Sequence, residues 1–349
     1  MRMSWGIFSK YKLELYGTAI LWIMLLHGLV RVAPASLDKS FSFLTQIIKH
    51  GYFGVEIFLF LSGICLFFSM NKNDDISEFY KKRIIRIIVP YFLITGSYWF
   101  GTCVIWKHDI LRFIGNITQF TFWFGNVHFA WFIGAILVLY LIYPLIYHLF
   151  LKDKSNRYSL ISILLSCITM YIICFALDHG PFILREWFKE TEIALTRFPV
   201  FFLGCYFGKL VYENKEISPN WLLSTFLGGV VGVFYLFNNF PVVSLYRLPG
   251  FIFSPCFALW IVIIFDIIHH KYFNRIFQFL GERSLELYLT HLALQNIAGY
   301  MKIFGPSKTH NYHLYLVYCV IGGIIVASLA AMISNGIIER IKRKVRLNS

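Results

Sequence analysis

The sequence predicts an all-α integral membrane protein, a single domain with about ten transmembrane helices and both termini in the cytoplasm. Three observations carry this expectation. Hydrophobic residues make up 58% of the 349 positions and charged residues only 14%, where a soluble domain carries about a quarter charged. Apolar runs of about twenty residues, each able to cross a ~30 Å hydrocarbon core as a helix, follow one another along nearly the whole chain. The basic residues fall mainly in every second segment between these runs, as the positive-inside rule requires.

Spans are expected near 13–32, 52–70, 88–106, 127–148, 158–177, 196–212, 220–238, 249–268, 280–300 and 313–336. With a cytoplasmic N-terminus, the inner segments (1–12, 71–87, 149–157, 209–219, 269–283 and the tail from Glu339) hold 21 of the 32 Lys and Arg residues. The stretches "NKNDDISEFYKKRIIR" and "ERIKRKVRLNS" contribute most. The net charge of +14 is thus dispersed between apolar segments, which argues for topology and against nucleic acid as a partner. A secretory signal is the alternative reading of the first span, because Lys10 and Lys12 precede an apolar run ending in "VAPAS", which has the A-x-A form of a cleavage site. The run is longer than most signal cores and nine spans follow, so an uncleaved helix is simpler.

The seven cysteines all lie in expected spans and show no CxxC or other metal-ligand spacing. No Walker loop, GxGxxG turn or internal repeat is visible, and many transporters show a repeat.

His27 stands inside the first span. An ionisable group there has to face protein or water, and such groups mark candidate functional sites. The fifteen residues from Lys12 cover ~22 Å of helix, placing His27 toward the outer end. In the next span, "GYFGVEIFLFLSGICLFF", Glu56 also stands near the outer end, so the two are expected at one depth on antiparallel helices. A carboxylate beside an imidazole fixes its tautomer and raises its basicity, as a general base needs. Further along, Arg83 and Arg86 in "FYKKRIIRIIVPYF" lie one helical turn apart on an inner segment, and arginine grips phosphate through paired donors. A positive-inside anchor is the plainer reading of these arginines. In "FLGERSLELYLTHLAL", Ser284, Tyr288 and His291 fall at i, i+4 and i+7 and form one polar stripe, as on a cavity wall. Gly204 and Gly208 in "TRFPVFFLGCYFG" match a small-xxx-small packing face.

These stretches together resemble the membrane-bound acyltransferase 3 family over most of the chain. His27 matches the essential histidine of the family's first helix, while Tyr16 stands where the family has arginine. "FGVEIFLFLSG" is similar to its G-V-(D/E)-x-F-F-x-x-S-G stretch through Gly54, Glu56, Phe58, Ser62 and Gly63. Arg83 and Arg86 match its R-x-x-R segment. Arg197, Pro199, Gly204 and Gly208 match R-x-P-x-F-x-x-G-x-x-x-G, and Ser284, Tyr288 and His291 match L-G-x-x-S-x-x-x-Y-L-x-H. "VHFAWFIGAILVLYLIYPL" resembles its H-x-W-F helix, with His128 and Trp131 also readable as a solvated residue and an interfacial anchor.

The resemblance implies transfer of an acetyl or similar small acyl group from cytoplasmic acyl-CoA, acetyl-CoA foremost, to a hydroxyl of an envelope polysaccharide or its lipid-linked precursor. It implies a multi-pass protein of the plasma membrane, the cytoplasmic membrane of a bacterium. The expected catalytic residues are His27, as general base or transient acyl carrier, and Glu56, orienting it. Arg83 and Arg86 are expected on the CoA phosphates, and Tyr16, Ser62, Arg197, Ser284, Tyr288 and His291 along the substrate path. The donor and the acceptor glycan are substrates, no bound cofactor or metal is expected, and lipid is the remaining partner. The rival readings are a transporter or exporter of glycan or lipid intermediates, and a family member that has lost catalysis through Tyr16.

Overall fold

A computed structural model describes residues 3–32, 42–237, 244–300 and 317–347. Ala33 and Ala35 of "VAPAS" and the histidines at 310 and 313 lie outside the described residues. A short turn, Ile7–Lys10, leads into α1 (Lys12–Val32). The chain continues through α2 (Ser42–Lys49), α3 (Phe53–Lys72), α4 (Ile76–Ile105), α5 (Ile110–Ile117), α6 (Trp131–Leu151) and α7 (Asn156–Asp178). It ends with α8 (Phe182–Leu195), α9 (Phe198–Tyr212), α10 (Pro219–Phe237), α11 (Leu248–Ile268), α12 (Lys271–Glu282), α13 (Ser284–Tyr300) and α14 (Gly323–Leu347). Among the described residues no strand forms; one isolated bridge joins Ser4 to Glu216. Among the described residues, eight helical stretches are long and apolar enough to cross a membrane. The expected first and ninth spans correspond to α1 and α13, helices of 21 and 17 residues.

Three boundaries depart from the expectation. The segment 71–87 is expected as an inner loop, yet helix begins at Ile76 and runs to Ile105. Asp75 caps it, accepting from the backbone N–H of Ser77 at 2.8 Å and Glu78 at 3.2 Å, and Phe79 and Ile87 bury its apolar side. Arg83 and Arg86 are therefore helix residues. The expected span 196–212 is the second half of a longer stretch, Phe182–Tyr212, that bends between α8 and α9 at Arg197. The expected span 280–300 breaks at Arg283, between α12 and α13.

α3 is the central helix. Ile57, Leu59, Phe60, Leu61 and Leu66 on it are fully buried, and it packs tightly on α9. A Cβ on Gly204 would stand 2.2 Å from the Phe60 carbonyl oxygen, and one on Gly63 would stand 2.5 Å from that of Phe201. Only glycine permits this backbone approach, so the small-residue face expected at Gly204 and Gly208 does close on a neighbouring helix. α7 and α10, in contrast, leave Ile161, Leu165, Ile172, Leu223, Val230 and Phe234 exposed. Such rows of outward apolar side chains suit contact with lipid. Between α3 and α4, Asp74 pairs with Lys152 and His148 at the end of α6. The Lys152 ammonium holds the Asp74 carboxyl below its ordinary range.

Candidate functional site

Seven helices, α1, α3, α4, α6, α12, α13 and α14, line a cavity of about 1120 Å³. Where α1, α4 and α14 contribute Lys12, Lys81, Lys82, Arg83, Arg86 and Lys342, its wall is mainly basic, against Glu78, Glu282 and Glu286. Following the helices away from these residues, the lining passes Tyr16, Ser62 and Tyr140 and ends on Ile23, Val55, Phe58, Phe132 and Tyr288. The cavity thus runs from a charged mouth to an apolar and aromatic end. Of the residues expected to form the site, Tyr16, Ser62, Arg83, Arg86, Ser284 and Tyr288 line it.

His27, Glu56, Arg197 and His291 form two pairs beside this lining. His27 is four residues after Ile23 and His291 three after Tyr288, so each histidine lies one turn past a residue of the closed end. The two rings lie parallel, centroids 5.1 Å apart and planes at 17°, with His27 Nδ1 2.8 Å from His291 Nε2. The second nitrogen of His291, Nδ1, is 2.8 Å from the carbonyl oxygen of Leu287. That carbonyl only accepts, so His291 carries its proton on Nδ1 and, as a neutral ring, accepts at Nε2. His27 then donates from Nδ1, which leaves its lone pair on Nε2. A neutral imidazole held in that tautomer is set to take a proton from a hydroxyl.

The expected pairing of Glu56 with His27 is corrected in geometry: His27 Nδ1 faces His291 Nε2, and Glu56 faces Arg197. The two residues expected at one depth are offset because the chain between α1 and α3 folds back as α2. Trp22 Nε1 donates to the Ile47 carbonyl at 2.6 Å, Gly51 abuts Trp22 and Leu26, and Gly54 abuts Ala19 and Ile23. Continuing antiparallel, Glu56 falls below His27.

Glu56 instead accepts from Arg197 Nε at 2.8 Å through Oε1, in a pair 1% and 3% exposed. Arg197 also donates from Nη1 to the Ile193 carbonyl at 2.6 Å and lies 5.1 Å from the Trp131 ring. A second pair, Arg247 with Glu192 at 3.0 Å, balances the local charge. Trp131 thus stacks under the guanidinium, while His128 pairs with Glu190 at 2.9 Å in an exposed position. Tyr16 sets its hydroxyl 3.8 Å from the Cys65 sulfur.

Sequence reading missed Lys12, Tyr140, Glu286 and Lys342 in the lining. For Lys12 a signal existed: it precedes Tyr16 by four residues, which puts both on one face of α1 and returns positive charge to that wall.

A family described as an acyltransferase domain matches residues 16–332. A protein of Acidianus two-tailed virus, named "Putative acetyltransferase ORF330", is 24% identical over 269 residues, 74% of this chain and 77% of its own. No solved structure matches.

Proposed function

The chain belongs to the membrane-bound acyltransferase 3 family, and on that premise we propose that it moves an acetyl or similar small acyl group from cytoplasmic acyl-CoA to a hydroxyl of an envelope polysaccharide or its lipid-linked precursor. The observation that carries this reading is the cavity with a basic mouth whose closed end lies one turn from the His27–His291 pair. A long anionic donor with a small reactive tip suits that shape: Arg83 and Arg86 on α4 meet phosphates at the mouth, and the pantetheine arm passes Tyr16, Ser62 and Tyr140.

His27 Nε2 removes the acceptor's proton as its oxygen attacks the thioester carbon. A sugar hydroxyl is a weak nucleophile until that proton is taken. His291 is a positioning residue, holding the tautomer through Leu287. Glu56 and Arg197 brace α3 against α9. We place the mouth, both termini and Asp74 on the cytoplasmic side of the plasma membrane, and the acceptor on the other.

The test uses purified protein in detergent, acetyl-CoA and an envelope glycan fraction, with release of CoA thiol as the readout. Thiol release that depends on the glycan supports the proposal; none above the protein-free rate contradicts it. In the same assay, Arg83→Ala with Arg86→Ala is expected to raise the KM for acetyl-CoA roughly tenfold or more, since two charge-assisted bonds to phosphate are lost, while kcat changes little. An unchanged KM would remove both residues from the donor site.

A further inference from the structure

Tyr288 carries a hydroxyl whose proton no acceptor among the described residues takes, while the backbone N–H of Phe132 lies toward its oxygen and can only donate to it. Its side chain is 6% exposed and lines the closed end of the cavity, and its Oη is buried with no partner in hydrogen-bonding geometry among the described residues. A buried phenol normally finds a partner, and an unsatisfied one is costly. The ring is wedged edge-on against Phe132 and His291, centroids 5.5 and 5.8 Å apart, so the hydroxyl does not swing away to another acceptor. α6 begins at Trp131, which brings the positive end of its dipole to the same wall. Arg197 lies within electrostatic reach of the phenol. A donor with its proton unspent, beside a helix N-terminus in a largely buried position, fits an atom that becomes negative only during reaction.

We infer that the Tyr288 hydroxyl donates to the carbonyl oxygen of the bound acyl thioester and holds the oxyanion of the tetrahedral intermediate. This rests on the acyl-transfer reading above. The acceptor oxygen bonds to the thioester carbon as its proton passes to His27 Nε2, and the carbonyl π pair moves onto the oxygen that Tyr288 faces. When that pair returns, the carbon–sulfur bond breaks with its electrons on sulfur. The His27 proton then passes to the thiolate, and the ester and free CoA thiol leave with both histidines neutral.

The experiment pairs kinetics with infrared spectroscopy on the full chain, using acetyl-CoA with an isotope-labelled carbonyl and the variant Tyr288→Phe, which keeps the ring and its packing. In the native protein without acceptor, the bound carbonyl band is expected at lower frequency than in free acetyl-CoA, and in Tyr288→Phe it returns toward the free position. With acceptor, kcat is expected to fall by ~10²–10³, the cost of losing one oxyanion donor, while the KM for acetyl-CoA stays within a factor of about two. A variant with native kcat and native band position overturns the assignment while leaving acyl transfer standing. A native protein that binds no acetyl-CoA and releases no thiol overturns the underlying reading, and this one with it.

Discussion

His27→Ala is expected to lower acyl transfer by ~10²–10⁴, the usual contribution of a positioned general base, with native abundance in the membrane. The ring is half-buried and its Nδ1 contact is to another imidazole. The partner separates a base from a packing residue. In His291→Gln the side-chain oxygen can still accept from His27 Nδ1, so part of the rate survives. In His291→Ala the acceptor for His27 Nδ1 is lost, and the rate falls further. Initial rates normalised to protein level decide this. Near-native transfer by His27→Ala removes it from catalysis and leaves His291, the other member of the pair, as the candidate base.

Arg197→Ala is expected to cost the fold rather than the chemistry. It leaves the Glu56 carboxylate, 1% exposed and with Oε2 already unpartnered, without its cation, and breaking a buried pair from one side costs ~3–5 kcal/mol. It also takes the guanidinium from the face of Trp131. Size-exclusion chromatography of the solubilised variant should show little monodisperse protein. Glu56→Leu combined with Arg197→Met, which removes both charges, is expected to recover much of the folded fraction. Native yield and melting behaviour in Arg197→Ala alone would show that the pair is dispensable.

Eight of the ten expected spans correspond, among the described residues, to helices long and apolar enough to cross a membrane, because their apolar runs are long. α4 was misplaced at its start because the basic run Lys81, Lys82, Arg83 and Arg86 put the span's beginning at 88, whereas Asp75 caps a helix from Ile76 on which Phe79 and Ile87 are buried. Within the site, residues that share a helix were readable: Arg83 with Arg86, and Ser284, Tyr288 and His291, follow from 3.6-residue spacing alone. Pairings across helices were not. His27 meets His291 264 positions away and Glu56 meets Arg197 141 away, and spacing tells which face a residue occupies but not which helix lies opposite. Proximity in sequence suggested Glu56 for His27, whereas the close approach of Gly51 to Trp22 and of Gly54 to Ala19 sets Glu56 further along α1 from His27 than that suggestion assumed.

The central claim, acyl transfer to an envelope glycan by a site built on His27, is tested most directly by mass spectrometry of envelope glycans from three otherwise identical cell lines. One makes the native chain, one makes none, and one makes His27→Ala at matched abundance. The account predicts a mass increase of one acyl group on the glycan repeat with the native chain alone. Identical glycan masses in all three, or full acylation with His27→Ala, would contradict it.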